Sequence, residues 1–335
     1  MTVSALGLDI GGANVKAAHS SGAASLQPFE LWKNRDGLTS VLRELLARQP
    51  AFDCLAVTMT GELCDCFATK REGVAAILDA VVAVGIECPI CVWRTDGRLV
   101  DVATAKATPL QTAAANWLAL AEYVGRYVPE GSSLLIDVGS TTTDIVPLDA
   151  GSPAPLGRTD VERLRSGELV YTGARRTPVC AILGSAGVAE WFATTQDVYL
   201  LLGWLPEDAE DRQTADGRPA TRAGARARLA RMLCSDIEGM SEAETVTLAM
   251  KVANLQIDQM RAAIESVAAR LPCPPHKIFV AGSGELLARE ALRGDTGLDG
   301  VPILSLTETL SPEISRAGCA YALAVLASER IHPPL

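Results

Sequence analysis

The chain has 335 residues, 48% of them hydrophobic, and a formal net charge of −10. That length allows two domains with cores of their own, and the acidic balance argues against nucleic acid or an anionic membrane as partner, since both need a concentrated basic surface. No stretch reaches the roughly 18 uninterrupted apolar residues of a membrane span, and the opening "MTVSALGLDIGG" lacks the pattern of a secretory leader, so a cytoplasmic protein is expected.

In chain order, the first feature is "LGLDIGGANVKAA" (6–18): an apolar strand ending in Asp9, a turn holding Gly11, Gly12 and Asn14, and a second strand with Lys16. The pattern then predicts a strand at 26–32, a helix at 36–49, a strand at 54–61, a helix at 71–84 and a strand at 89–94. A β-hairpin followed by β–α units reads as a mixed sheet with helices on its faces. Cys54, Cys64, Cys66, Cys88 and Cys91 fall in this region, but they lack the two-plus-two spacing of a zinc knuckle, and "ECPICVW" reads as a buried strand in which Cys is a small hydrophobe. Nine cysteines in all, an odd count, suit reduced thiols. His19, His276 and His332 stand too far apart to suggest a metal site. Residues 109–127 predict one helix, opened by Pro109, that bridges into the second half.

There "LLIDVGSTTTDIVPL" (134–148) repeats the earlier grammar: Asp137 falls on Asp9, Gly139 on Gly11, Ser140 on Gly12, Thr142 on Asn14 and Asp144 on Lys16. One supersecondary unit recurring half a chain apart predicts two related domains facing each other. Residues 206–228, polar and punctuated by Gly and Pro, predict an exposed loop. Apolar residues spaced by three and four predict a long helix at 243–271, and "KIFVAGSGELL" (277–287) reads as strand, glycine turn and helix. A last helix at 311–330 has Ser311 as its cap and Pro312 at its first position. The expected boundaries are residues 1–110, residues 111–310 with loops and helices inserted around 185–240, and a helical segment 311–335 at the domain junction.

Consecutive backbone N–H groups bind phosphate oxygens when no side chain blocks the approach. Gly11, Gly12 and Gly139 supply that access, while Ser140, Thr141 and Thr142, with Thr143, add short hydroxyl donors. Asp9 and Asp137 at the strand ends suit Mg²⁺, which prefers few carboxylates together with water and phosphate oxygens. Two such turns facing each other would make a phosphate–metal clamp.

"LDIGGANVKAA", "LIDVGSTTTDIVP" and "IFVAGSGEL", the last holding Gly282, Ser283 and Gly284, resemble the phosphate-1, phosphate-2 and adenosine motifs of the actin/Hsp70/sugar-kinase superfamily, in its hydantoinase/oxoprolinase branch. The resemblance implies an α/β fold of two RNase-H-like domains, with mixed sheets flanked by helices and a cleft between them. More narrowly, "TMTGELCDCFATKREGV" (58–74), "AAANWLALA" (113–121), "DVERLRSGELVYTGARRTPVCAI" (160–182) and "TADGRP" (214–219) resemble the tetrahydromethanopterin-linked C1-transfer pathway family and its methanofuran-biosynthesis members. That implies an Mg²⁺-dependent transferase joining an aminomethylfuran-methanol diphosphate to a phenolic acceptor, of the glutamyl-tyramine or tyrosine type, with release of diphosphate.

On this reading Arg175 and Arg176 are candidates to grip phosphate oxygens, and Lys16, Glu62 and Asp65 are candidates to activate the phenol. Asn116 and Trp117 read either as lining of the acceptor pocket, with Asp65, or as a helix buried by its tryptophan. Gly282–Gly284 would meet a nucleotide or the donor. Two rival readings remain open, an ATP-dependent small-molecule kinase or oxoprolinase-like enzyme and a nucleotide-gated assembly factor. ATP binding and self-association into a homo-oligomer are left undecided.

Overall fold

The computed structural model describes residues 3–294 and 296–331, so His332 lies outside the described residues. The first sheet contains β1 (Ala5–Ile10), β2 (Asn14–His19), β3 (Ala24–Pro28), β4 (Cys54–Met59), β5 (Ile90–Trp93) and β6 (Leu99–Val100), in the order β3-β2-β1-β4-β5-β6. The second contains β7 (Ser132–Val138), β8 (Thr143–Asp149), β9 (Ser152–Pro153), β10 (Leu169–Val170), β11 (Lys277–Ala281) and β12 (Ile303–Ser305), in the order β10-β8-β7-β11-β12 with β9 on β8. In each sheet the opening hairpin is antiparallel, and its first strand pairs in parallel with a later strand: β1 with β4, β7 with β11. The expected repeat is therefore a repeat of topology. β1 and β4 are buried along their whole length, which is why both read as unbroken apolar runs.

Helices α1 (Leu38–Leu46), α2 (Lys70–Val82), α3 (Val102–Ala107) and α4 (Pro109–Thr112) belong with the first sheet, and α5 (Asn116–Gly125) opens the second half. They are followed by α6 (Asp160–Ser166), α7 (Val179–Leu183), α8 (Thr195–Leu202), α9 (Arg222–Arg231), α10 (Glu242–Ala268) and α11 (Glu285–Ala291). The last are α12 (Leu306–Thr309), α13 (Pro312–Arg316) and α14 (Gly318–Arg330). Leu6, Leu8, Leu55 and Val57 meet Leu42, Ile77 and Leu78 on the outer face of the first sheet; Leu134, Ile136 and Ile145 meet Leu248, Val252 and Met260 on the outer face of the second. Between the sheets α5 and α14 pack on each other, joining Ala5, Ala56 and Trp93 of one sheet to Leu135, Val146 and Phe279 of the other. The order is helices, sheet, paired central helices, sheet, helices. Gly7 permits this spacing, because a Cβ there would lie 2.0 Å from the Ala320 carbonyl oxygen of α14.

Four sequence expectations need correction. The strand expected at 26–32 ends at Pro28; Phe29 and Leu31 leave the ladder and donate their N–H groups to Ala13 and Gly12. The helix expected at 109–127 is two helices, broken at buried Ala113–Ala115, where Ala114 takes a positive φ of 48°. That break is the bridge itself, since α4 stays with α2 and α3 while α5 lies on β7, β8 and β9. The helix expected at 311–330 is likewise split at Ala317, although Ser311 does cap its start by accepting from Ile314 N at 3.2 Å. Finally, the polar stretch 206–228 is irregular only to Thr221, where α9 begins with Thr221 as its cap. No described helix is long and apolar enough to cross a membrane.

Candidate active site

The two hairpins end in turns of the same construction. Gly11 N donates to Asn14 O at 3.0 Å, and Gly139 N donates to Thr142 O at 2.8 Å. Registers match as well: Asp9 pairs with Lys16 across β1–β2, and Asp137 with Asp144 across β7–β8. Among the described residues, the N–H groups of Gly12 and Ala13 in one turn, and of Ser140, Thr141 and Thr142 in the other, donate to no protein acceptor. All five residues are half-buried. Runs of such free donors are what an anion needs.

The segment 173–176 fixes the second turn. Ala174 N donates to Gly139 O at 2.9 Å, and Arg175 N and Arg176 N donate to Ser140 O at 3.0 and 2.9 Å. Gly173 lies so close that a Cβ would sit 2.6 Å from Thr141 N. The two arginines then diverge. Arg175 is already paired with Asp211 of the irregular loop, which Gln196 also holds. Arg176 has no carboxylate partner among the described residues and lays its guanidinium 4.5 Å from the ring centroid of Trp32, which reaches in from the first half. Of the pair, Arg176 is the one free to meet an anion.

Beneath the turns lies a cluster of charges. Lys16 Nζ is 4.0 Å from Asp9 Oδ2. Burial raises the Asp9 carboxyl above the ordinary carboxylate range, opposed by Lys16 and by a hydrogen bond from Asn116, with Asp144 adding to the rise. Burial likewise pushes Asp137 up to about 7, reinforced by Asp144 and Asp9 and opposed by Lys16 and the Cys319 thiol, whose Sγ lies 3.9 Å from Asp137 Oδ2. Burial works against the Lys16 ammonium too, but Asp9, Cys319 and Asp137 carry it above its usual value. Asp144 is raised by burial despite Arg163, whose guanidinium is 2.7 Å away. Asp9 and Asp137 thus belong to one cluster, sharing Lys16 and Cys319.

Glu62 follows β4, one strand over from β1. Its side chain is 1% exposed, and burial pushes its carboxyl up to about 7, opposed by Lys70 at 3.8 Å. Lys70 in turn bonds Asp160 of α6 at 3.1 Å, so this acid sits where the halves meet. Gly73 of α2 allows it, since a Cβ there would lie 2.1 Å from Glu62 O. Asp65 is exposed and makes no side-chain hydrogen bond among the described residues, which sets it apart from the cluster. Asn116, the first residue of α5, is half-buried beside Asp9. Trp117 is not pocket lining: it is 2% exposed, and its ring carries the Arg163 guanidinium at 3.9 Å. Gly282 (φ +86°) and Gly284 pack against the end of β7, where a Cβ on Gly282 would lie 2.4 Å from Asp137 Oδ1. Ser283 beside them is exposed.

Lys70, Asp160, Arg163, Trp32 and Cys319 complete the site and were not singled out from sequence. The "DVERLRSG" block held Asp160 and Arg163, and the 58–74 block held Lys70, without marking any of them. No group of three or more His, Cys, Asp or Glu among the described residues makes a metal cage. Asp9 Oδ1 and Glu62 Oε2 are nevertheless buried without a partner, and three raised aspartates face two cations. That donor set suits Mg²⁺, which takes one or two carboxylates and fills its shell with water and phosphate oxygens.

Residues 53–324 match the model of the hydantoinase/oxoprolinase family. A Methanocaldococcus jannaschii protein, "(4-{4-[2-(gamma-L-glutamylamino)ethyl]phenoxymethyl}furan-2-yl)methanamine synthase", is 32% identical over 99% of both chains. A Methanococcus vannielii protein of the same name is 29% identical, over 64% of this chain and 99% of its own. Among solved structures, nucleotide-free acetone carboxylase superposes with a TM-score of 0.58 at 11% identity, covering 96% of this chain and 70% of that one, a likeness of fold alone.

Proposed function

The chain belongs to the hydantoinase/oxoprolinase family and is an enzyme, and from that premise we propose that it is an Mg²⁺-dependent transferase. It joins an aminomethylfuran-methanol diphosphate to a phenolic acceptor through an aryl ether, in the cytoplasm, as a step in making a methanofuran-type carrier for one-carbon metabolism. This reading is carried by the two turns, whose five free N–H groups adjoin the strand-end aspartates of one carboxylate-rich cluster. The printed name of the relatives, a phenoxymethylfuran, supports it with an ether of the same kind.

The chemistry asks little covalent work of the protein. A furan ring stabilises positive charge on the attached methylene, so the methylene–oxygen bond breaks with its electron pair leaving on diphosphate. The free N–H groups of both turns and the Arg176 guanidinium stabilise that charge as it develops. Asp9 and Asp137 would hold Mg²⁺, which when bound neutralises phosphate oxygens. The phenol oxygen bonds to the methylene and gives its proton to Glu62, whose carboxyl, raised to about 7, is matched to neutral pH. Burial of Glu62, with Lys70 closing against Asp160, keeps water from competing.

The test is to incubate the protein with Mg²⁺, the furanmethyl diphosphate and either γ-glutamyl-tyramine or tyrosine, following ether and diphosphate by mass spectrometry. Ether and diphosphate in equal amounts are expected. A second reading, an ATP-dependent kinase or oxoprolinase-like enzyme, draws on the Gly282–Gly284 turn, whose Gly282 and Ser283 N–H groups also have no backbone acceptor among the described residues. ADP release from an ATP-only control with a small acceptor, and no ether, would decide for it.

A further inference from the structure

A cleft of about 310 Å³ opens beside the site, walled by Pro28, Phe29, Glu30, Lys33 and Asn34 of the first half and by Gln213 of the second. Its walls are fastened to both turns. On one side Phe29 N donates to Ala13 O at 3.1 Å and Leu31 N to Gly12 O at 2.9 Å. On the other, Gln213 N donates to Asp211 Oδ1 at 2.9 Å, and Asp211 holds Arg175, whose own N–H is bonded to Ser140 O. The Trp32 ring has Lys33 of the cleft 5.9 Å and Arg176 of the site 4.5 Å from its centroid. The cleft is thus tied to the backbone of both turns.

What the cleft offers is a close pair of opposite charges with two side-chain amides around them. Lys33 Nζ and Glu30 Oε1 are 3.0 Å apart and solvent-accessible. Such an exposed pair is only weakly held, so it can exchange partners with a ligand at little cost. The complementary ligand carries a carboxylate and an ammonium on neighbouring atoms, which is an α-amino-acid zwitterion. Both acceptor types named above have one, on the γ-linked glutamyl group or on tyrosine itself, at the end away from the phenol.

We propose that this cleft is the seat of the acceptor's α-amino-acid end, with Lys33 taking its carboxylate, Glu30 its ammonium, and Asn34 and Gln213 completing the hydrogen bonds. The assignment rests on the ether-forming reading above. It makes these residues the determinants of which phenol is used, without contact to the reacting atoms. It also places part of the acceptor site on the 206–221 loop, so that acceptor and diphosphate lean on one Arg175–Asp211 contact.

Equilibrium binding of γ-glutamyl-tyramine, L-tyrosine and tyramine, measured by calorimetry on the full chain, reads the cleft directly. At least one zwitterionic phenol is expected to bind about tenfold or more tighter than tyramine, a difference of about 1.4 kcal/mol. Lys33→Ala and Lys33→Ala with Glu30→Gln should each shrink that preference below about threefold, and Gln213→Ala should shrink it less. No preference in the unaltered protein, or a preference that survives the double variant, overturns the assignment. Turnover with the same three phenols separates the two ideas. Ether made equally well from tyramine sinks the subsite and keeps the reaction. Zwitterion-selective binding lost in the double variant, with no ether from any phenol, sinks the reaction and keeps the subsite.

Discussion

The hairpins β1–β2 and β7–β8 share a fold, a turn and a register, and differ in how they balance charge. Opposite its strand-end aspartate the first carries Lys16, a cation of its own. The second carries Asp144, a further acid, and must borrow Arg163 from α6. Arg163 is 1% exposed, bonds Asp144 on one side and the Glu168 carbonyl on another, and is steadied by the Trp117 ring beneath. The backbone of such a hairpin can be copied, then, while its electrostatics are settled by residues outside the copy. Burial drives Asp137 up to about 7, and Asp144 across the ladder adds to the rise where Lys16 opposes it.

The sharpest way to break the comparison is to remove the two aspartates one at a time. Asp137→Asn and Asp9→Asn should each lower kcat/KM by about a thousandfold or more, with the fold intact by circular dichroism. Near-normal turnover in either variant would take that residue out of the site. A smaller effect is expected from Gly173→Ala, which touches no ligand but brings a methyl to 2.6 Å from Thr141 N and 2.7 Å from Gly139 O. Displacing the free N–H groups of the second turn should cost about a hundredfold in kcat while the first turn is untouched. Unchanged kcat would mean that those donors do not meet the substrate.

The mildest effect concerns stability. With Asp137 folded near 7 and unfolded near 3.8, the native state holds a proton that the unfolded chain has lost throughout that interval. Its contribution to stability is therefore present at low pH and lost as pH rises through about 4 to 7. Metal-free protein should melt at a lower temperature at pH 8 than at pH 5.5, and Asp137→Asn should flatten part of that slope. Asp53, which Ser4 hydrogen bonds hold below the ordinary carboxylate range, has the opposite sign but acts only at pH below that interval. A melting temperature with the same pH slope in Asp137→Asn would show that Asp137 is not titrating there.

Much of this was legible in the sequence because the hairpins are local objects. Strand, glycine and strand-end aspartate fall within a dozen residues, so Asp9 could be matched to Asp137 and Lys16 to Asp144, and the two ladders do share one register. Ser311 as a cap and the long helix α10 were legible for the same reason. The breaks at Ala114 and Ala317 were not, because alanine carries the strongest helix propensity and nothing local marks it as a stop; tertiary packing overrides it. Trp117 gave no sign of standing under an arginine 46 positions on, nor Trp32 of meeting Arg176, since cation–ring contacts between distant segments have no period to read. Arg175 and Arg176 looked equivalent as neighbours. Only the position of Asp211 separates them.

Gly7 against Ala320 has a consequence for how the protein is made. The inner face of β1 is closed by α14, a helix synthesised only after both sheets have been translated. On the ribosome the first half emerges early but must wait with one side of its sheet bare, while the second half already has α5 to cover its own. The half that is born first is the half that is finished last.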